Sequence, residues 1–270
     1  MQRNGEPSAY FERVGPDLYR PTTHAGGAWN EGEIHFSPLG GLIIHQMDRH
    51  RAAEGRGGDR KALARVSFDI LGFLAADVCD VQVRTIRPGR TIELVEASVM
   101  IAGRAAVLAR AWFVADNDTA AIAGGEGSPM AAPETCTPWL MGETWPGGYV
   151  ASVEIRTDGP PLPGRARAWL RTENAVVAGE PSTRHASFIA LVDTANGVAV
   201  RTPPTEWMFP NLDLTIHLFR QPAGEWVGLD TTVTFGPAGH GLTSTVLHDE
   251  RGAIGRAEQI LTVRPIAMTD

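Results

Sequence analysis

Lysine is almost absent. The 270-residue chain has one, Lys61, so nearly all of its positive charge is arginine. Positive charge is also outweighed, with 24 Lys plus Arg against 31 Asp plus Glu and a net charge of −7. That balance excludes a nucleic-acid partner, whose phosphates need a basic face. The two cysteines, Cys79 and Cys136, cannot build a disulfide scaffold, and nothing beside them makes a metal site. No stretch approaches the roughly 18 apolar residues of a membrane span. The leading MQRNGEPSAYFERV lacks the apolar core of a signal peptide. There is no GxSxG nucleophile elbow, and Gly124, Gly125 and Gly127 do not form a GxGxxG turn between a strand and a helix. The expectation is a cytoplasmic protein with no cofactor, no metal and no membrane partner. With 43% hydrophobic and 20% charged residues, the chain is globular and can bury one large core or two small ones.

What is present is a repeat. Each half opens with strand-like material, YFERVGPDLYRP in one and YVASVEIRTDG with GRARAWLRTE in the other. A helical segment follows, SPLGGLIIHQMDRHRAA from Ser37 and STRHASFIALVDTANG from Ser182. A Ser stands at or near each N-cap, and Asn196-Gly197 closes the second segment. Three strand-like runs come next in each half, split by Arg87-Pro88-Gly89-Arg90 in one and Gly236-Pro237-Ala238-Gly239 in the other. Between the halves, DNDTAAIAGGEGSPMAAPETCTP shows neither helical nor strand periodicity and reads as a linker. The boundaries that follow are residues 1–117, a linker at 118–137, and residues 138–270. Each half reads as one helix laid on one antiparallel sheet. One such helix cannot cover a sheet of five or six strands, so the two units are expected to pair.

The segment NLDLTIHLFR raises the question of chemistry. Leu212, Leu214, Ile216 and Leu218 point one way, and Asp213, Thr215, His217 and Phe219 the other. An acid, a hydroxyl and an imidazole on one face either meet solvent or handle a proton.

With its duplicated helix-and-sheet unit, its Leu39-Gly40-Gly41-Leu42 helix start and the stretch from Asn211 to Arg264, the chain resembles bacterial type II acyl-CoA thioesterases. The resemblance covers most of the sequence. It implies an α+β tandem double hotdog, two antiparallel sheets each wrapped around a central helix. It also implies hydrolysis of acyl-CoA thioesters as part of fatty acid metabolism. In that family an Asp, a Ser or Thr and a Gln from the second repeat hold the attacking water. Those positions fall on Asp213, Thr234 (counted from Glu225-Trp226) and Gln259. The match departs in places. The last strand is one residue shorter before the Gln, Thr-Val-Thr-Phe replaces a Ser-rich stretch so that Thr232 rivals Thr234, and Leu214 replaces a His.

These residue types suit the reaction. Asp213 would be the base, Thr234 and Gln259 would position water, and Gln suits that role because its amide both donates and accepts. Backbone N–H groups at a helix N-terminus would stabilise the oxyanion, with Gly40 and Gly41 allowing close approach. Each residue also has a plain reading: a strand-start Asp at a turn, Gly40-Gly41 as tight packing, Gln259 as a surface residue. Asp69 in VSFDIL takes the place matching Asp213 in the first repeat, but no Gln occurs in that half's last strand, so Asp69 reads as structural or vestigial.

His45 and His50 are five apart, not a helical metal pair, and read with Asp48 as a solvated helix face. His35 reads as a loop residue. Among Trp139, Trp145, Trp169, Trp207 and Trp226 most are core, with room for one or two along an acyl tunnel. Two alternatives stay open: a non-catalytic acyl-thioester binding protein, and an enoyl-thioester hydratase. The latter rests on Asp213 and His217 but lacks the Gly-Asp-x-Asn-Pro surround. Acyl length, the carrier and the formation of homo-oligomers are not set by the sequence.

Overall fold

The computed structural model describes residues 8–27 and 29–266. Residues 1–7 of the stretch read above for a signal peptide lie outside the described residues. The first half runs β1 (Ala9–Arg13), β2 (Leu18–Pro21), α1 (Phe36–Ala53), β3 (Lys61–Ile70), β4 (Cys79–Arg87), β5 (Ile92–Ile101) and β6 (Arg104–Ala115). After a stretch carrying only short 3-10 turns come β7 (Thr137–Pro138), α2 (Gly148–Ala151), β8 (Glu154–Thr157), β9 (Arg165–Arg171) and β10 (Ala175–Val177). The chain continues through α3 (Arg184–Val192), α4 (Ala195–Val198), β11 (Trp207–Met208), β12 (Asp213–Leu218), β13 (Val227–Phe235), β14 (His240–Asp249), β15 (Gly252–Thr262) and β16 (Arg264–Pro265).

The architecture is α+β, but the expected two sheets are one. Fourteen strands form a single sheet, and the inner-edge strands β3 and β12 pair antiparallel at its centre. An unpaired inner edge would leave backbone N–H and C=O groups open on each half, and joining the edges satisfies both at once. The two halves carry the same strand order counted inward, β1-β2-β4-β5-β6-β3 and β8-β9-β13-β14-β15-β12.

The register of the repeat can be read from a shared irregularity. Val99 faces Val107 and Met100 faces Ala105 across one bulge; Leu247 faces Gly255 and His248 faces Ala253 across the other. Val107 is therefore the counterpart of Gly255. Their partners Ile70 and Leu218 correspond in turn, which makes Ser67 the counterpart of Thr215. Those two residues also face each other on β3 and β12, so an approximate two-fold axis passes between them. Asp69 then corresponds to His217, and Asp213 to Arg65. Asp69 is not the repeat partner of Asp213; it is its cross-strand neighbour.

Both helices lie on the buried side of the sheet. The His35 side chain caps α1 by accepting the N–H of Ser37, and Thr183 caps α3 by accepting that of Ala186. The caps thus fall next to the expected serines rather than on them. Leu39, Leu42, Ile43, Ile44 and Met47 of α1 are fully buried, each worth about 1.5–3 kcal/mol. The helices touch closely at Gly41, where a Cβ would stand 2.6 Å from the Ala190 methyl and 2.9 Å from the Ala186 carbonyl oxygen. The second helical segment does not run through to Asn196-Gly197. It stops at Val192, with Asp193 as the C-cap, before α4 restarts at Ala195.

Candidate active site

The break after α3 places Asp193 against the inner face of the sheet. The residue is 4% exposed. Two amides donate to one oxygen, Oδ1: Asn211 Nδ2 at 2.7 Å and Gln259 Nε2 at 2.8 Å. Asn211 stands just before β12, and its amide also donates to the Asp213 carbonyl at 3.0 Å. Gln259 comes from β15, where Ala257, Gln259 and Leu261 all face inward, each 1% exposed. The other carboxylate oxygen, Oδ2, has His35 Nδ1 3.7 Å away. That contact is not an ion pair. Nδ1 accepts the Ser37 N–H, and burial pushes the His35 pKa down to about 3, so the ring is neutral. With Nδ1 accepting, the remaining proton is on Nε2, which makes that nitrogen a donor.

Asp193 therefore has donors on one oxygen and no cation. Burial raises its pKa to about 7, against the lowering effect of Asn211 and Gln259. A buried carboxyl that titrates near neutrality is suited to accept and return a proton. Behind it, the side chains of Thr243 and Gln259 face one another across β14 and β15; Thr243 Oγ1 and Gln259 Oε1 are buried without a hydrogen-bond partner. His35 is held from the other side by Tyr149, whose ring stacks on it at 4.3 Å between centroids. The Tyr149 hydroxyl bonds in turn to Thr194 Oγ1 at 2.6 Å. A cavity of about 450 Å³ opens onto this group, walled by His35, Asp193 and Asn211 together with Trp29, Phe36 and Leu212.

The sequence matches the model of the acyl-CoA thioesterase N-terminal domain over residues 25–114 and that of the acyl-CoA thioesterase C-terminal domain over residues 133–263. The chain belongs to the type II acyl-CoA thioesterase-like family. No curated protein matches it. Among solved structures it is similar to acyl-CoA thioesterase II TesB2 from Mycobacterium marinum, at 16% identity and a TM-score of 0.63, with 96% of each chain covered. It is also similar to a tesB protein from Mycobacterium avium subspecies paratuberculosis, at 15% identity and 0.65, covering 94% of this chain and 96% of that one. A protein of unknown function with a hot dog fold from Alicyclobacillus acidocaldarius superposes at 0.71 with 12% identity, 96% of each chain being covered. At these identities the structural likeness establishes a shared fold.

The residues taken from the family resemblance do not converge in this thioesterase-like chain. Gln259 lies in the site. Asp213 is on β12 beside β15 but opposes Ile260 rather than Gln259, so it points to the outer face of the sheet. There its Oδ1 accepts the Ile260 N–H at 2.7 Å, and burial with the nearby Asp69 charge raises its pKa. Thr234 and Thr232 are exposed on that same outer face of β13, three strands from β12, roughly 14 Å at ordinary strand spacing. Gly40 and Gly41 are the fifth and sixth residues of α1. Their N–H groups are past the first turn, where donors are free, and Gly41 is filled against Ala190. The end of α1 that does reach the cavity is His35 and Phe36.

His35, read as a loop residue, is the N-cap of α1 and a wall of the site. His45 is not solvated either: it is 3% exposed, and its Nε2 lies 3.0 Å from Glu180 Oε2. Asp193, Asn211 and Thr243 were missed. The signal for Asp193 was present, because it falls four residues after Ile189 on the apolar stripe of α3. The approximate two-fold shows why one site forms and not two. Aligning the capped helix starts puts Thr183 in the place of His35 and His45 in that of Asp193. Along the last strands, Ala111 takes the place of Gln259. The mirror position thus has neither the acid nor the amide. Among the described residues no group of His, Cys, Asp or Glu is placed to hold a metal, and no helix is long and apolar enough to cross a membrane.

Proposed function

We propose that the chain hydrolyses acyl-CoA thioesters to free acid and CoA, with Asp193 as the general base. The observation carrying this reading is the asymmetry of the Asp193 carboxylate. Oδ1 is clamped by two amides, while Oδ2 is left free at the wall of a cavity. The amides of Asn211 and Gln259 fix the carboxylate plane. Water at Oδ2 gives up its proton there as its oxygen attacks the thioester carbonyl carbon. The oxyanion is met by the His35 Nε2–H and by the Phe36 N–H, which lies in the first turn of α1 and has no partner within the helix. The C–S bond then breaks, and the proton on Asp193 passes to the departing thiolate. A cytoplasmic place in fatty acid metabolism accords with this reading.

Two variants test it in one assay of CoA release. Asp193→Asn is expected to lose at least about a hundredfold in turnover, the usual worth of a general base. Asp213→Asn is expected to stay within about threefold of the parent, since its side chain faces away from the cavity. If the losses are reversed, the base is Asp213. If both variants keep the parent's turnover, neither carboxylate is the base; if the parent itself releases no CoA, the chain is a thioester binder.

A further inference from the structure

The cavity beside Asp193 has a neighbour. A small pocket of about 20 Å³ lies between Met141, Trp145, Val150, Thr194 and Gly197, and Trp29, His35 and Asn196 wall both spaces. Trp29 is the largest side chain common to both walls. Its indole sits edge-on to Trp145 at 4.8 Å and to Phe209 at 5.2 Å between centroids, and Trp145 and Phe209 are 5.9 Å apart. Trp145 cannot swing aside freely, because its Nε1–H donates to the Gly197 carbonyl at 3.0 Å and the ring is buried. Trp29 stands on a loop anchored at both ends, where Gly27 donates to the Glu33 carbonyl at 2.6 Å and His35 donates to that of Ala25 at 2.8 Å.

We infer that Trp29 is the stop that ends the acyl-binding space, so that the site takes short or compact aromatic acyl thioesters and turns away long straight chains. This inference rests on the Asp193 reading above. The reacting carbonyl must sit at Asp193 and His35, and Trp29 shares the His35 wall, so an acyl group turned inward meets the indole after a short reach. The 450 Å³ cavity also has to receive the thiol arm of CoA, so the acyl group shares that space with it. An aromatic acyl group can lie against the indole edge or face as Phe209 does. Trp29 is backed in turn by the buried rings of Trp145 and Phe209.

The test is CoA release from acetyl-, butyryl-, octanoyl-, palmitoyl- and benzoyl-CoA by the full chain and by Trp29→Ala, Trp29→Leu and Asp193→Asn. The parent is expected to favour acetyl-, butyryl- and benzoyl-CoA. In Trp29→Ala, kcat/KM for octanoyl- and palmitoyl-CoA should rise at least about tenfold relative to butyryl-CoA, the scale of a methylene or two gained in an apolar pocket. Trp29→Leu, which keeps bulk on the loop, should show a smaller shift in the same direction and serves if the Ala variant does not fold. A parent that prefers palmitoyl-CoA would overturn the inference, as would a chain-length profile within twofold of the parent's in the folded variants. Parental turnover in Asp193→Asn would instead remove the reading on which it rests.

Discussion

Replacing Asp193 by Asn should make the protein more stable while it stops working. The carboxyl ionises at about 7 in the folded chain, against an ordinary value of 3.8. Its folded pKa is raised, so between about pH 4 and pH 7 the native state holds a proton that the unfolded state has released. Folding takes up that proton, and stability therefore falls as pH rises through this window. At 1.36 kcal/mol per pKa unit, the buried charge costs roughly 4 kcal/mol above pH 7. Asn keeps an oxygen for Asn211 and Gln259 and carries no charge. At pH 8 the variant should gain up to about 4 kcal/mol, or on the order of 10 °C in Tm for a chain of this size. Below pH 4 the parent is neutral as well, and the difference should vanish. Urea unfolding followed by tryptophan fluorescence at pH 4, 6 and 8 measures this directly. Equal stability of parent and variant at all three values would refute the reasoning, because it would mean that folding does not desolvate the Asp193 carboxylate. A gain at pH 8 together with lost turnover is the expected signature of an acid kept at a stability cost.

Turnover of the parent should rise with pH and reach half its plateau near pH 7, as Asp193 loses its proton; a flat profile from pH 5.5 to 8.5 would contradict this. Gln259→Leu removes one of the two donors on Oδ1. A hydrogen bond to a charged group is worth about 1.5–3 kcal/mol, so the pH–rate midpoint should move up by about 1–2. An unmoved midpoint would show that the amide does not act on Asp193. Gly41→Ala should cost about 1–3 kcal/mol in chemical denaturation, because a methyl 2.6 Å from that of Ala190 forces α1 and α3 apart. A neutral result would mean that the helices are loosely packed.

Much of the fold was legible because alternation and repetition are local properties. Leu214, Ile216 and Leu218 face the core as their spacing requires, with exposures of 1%, 0% and 6%. Leu212, one residue before β12, is exposed instead at the cavity wall, where the pleat no longer governs it. The inward face of Gln259 could likewise be read from its place between Ala257 and Leu261. Taken together, these two alternations already separate Asp213 from Gln259. If Leu214 is buried, Asp213 is not, and a side chain on the outer face of a sheet cannot meet one on the inner face of the next strand.

The sequence by itself determined the repeat, the apolar faces of strands and helices, and membership of the thioesterase family. Those depend on residue order and on the periods of 2 and 3.6 that the backbone imposes. Only the tertiary structure decided which carboxylate meets Gln259. Asp193 ends a helix and Gln259 sits 66 positions later on a strand; no local pattern couples them. Their meeting needs the helix to break at Val192 and β15 to lie beside β12. The joining of both sheets through β3 and β12 was also a tertiary outcome, since edge pairing is set by backbone hydrogen bonds that every strand offers alike. The same holds for the single site: the approximate two-fold builds two equivalent positions, and only the side chains lying there make one of them acidic.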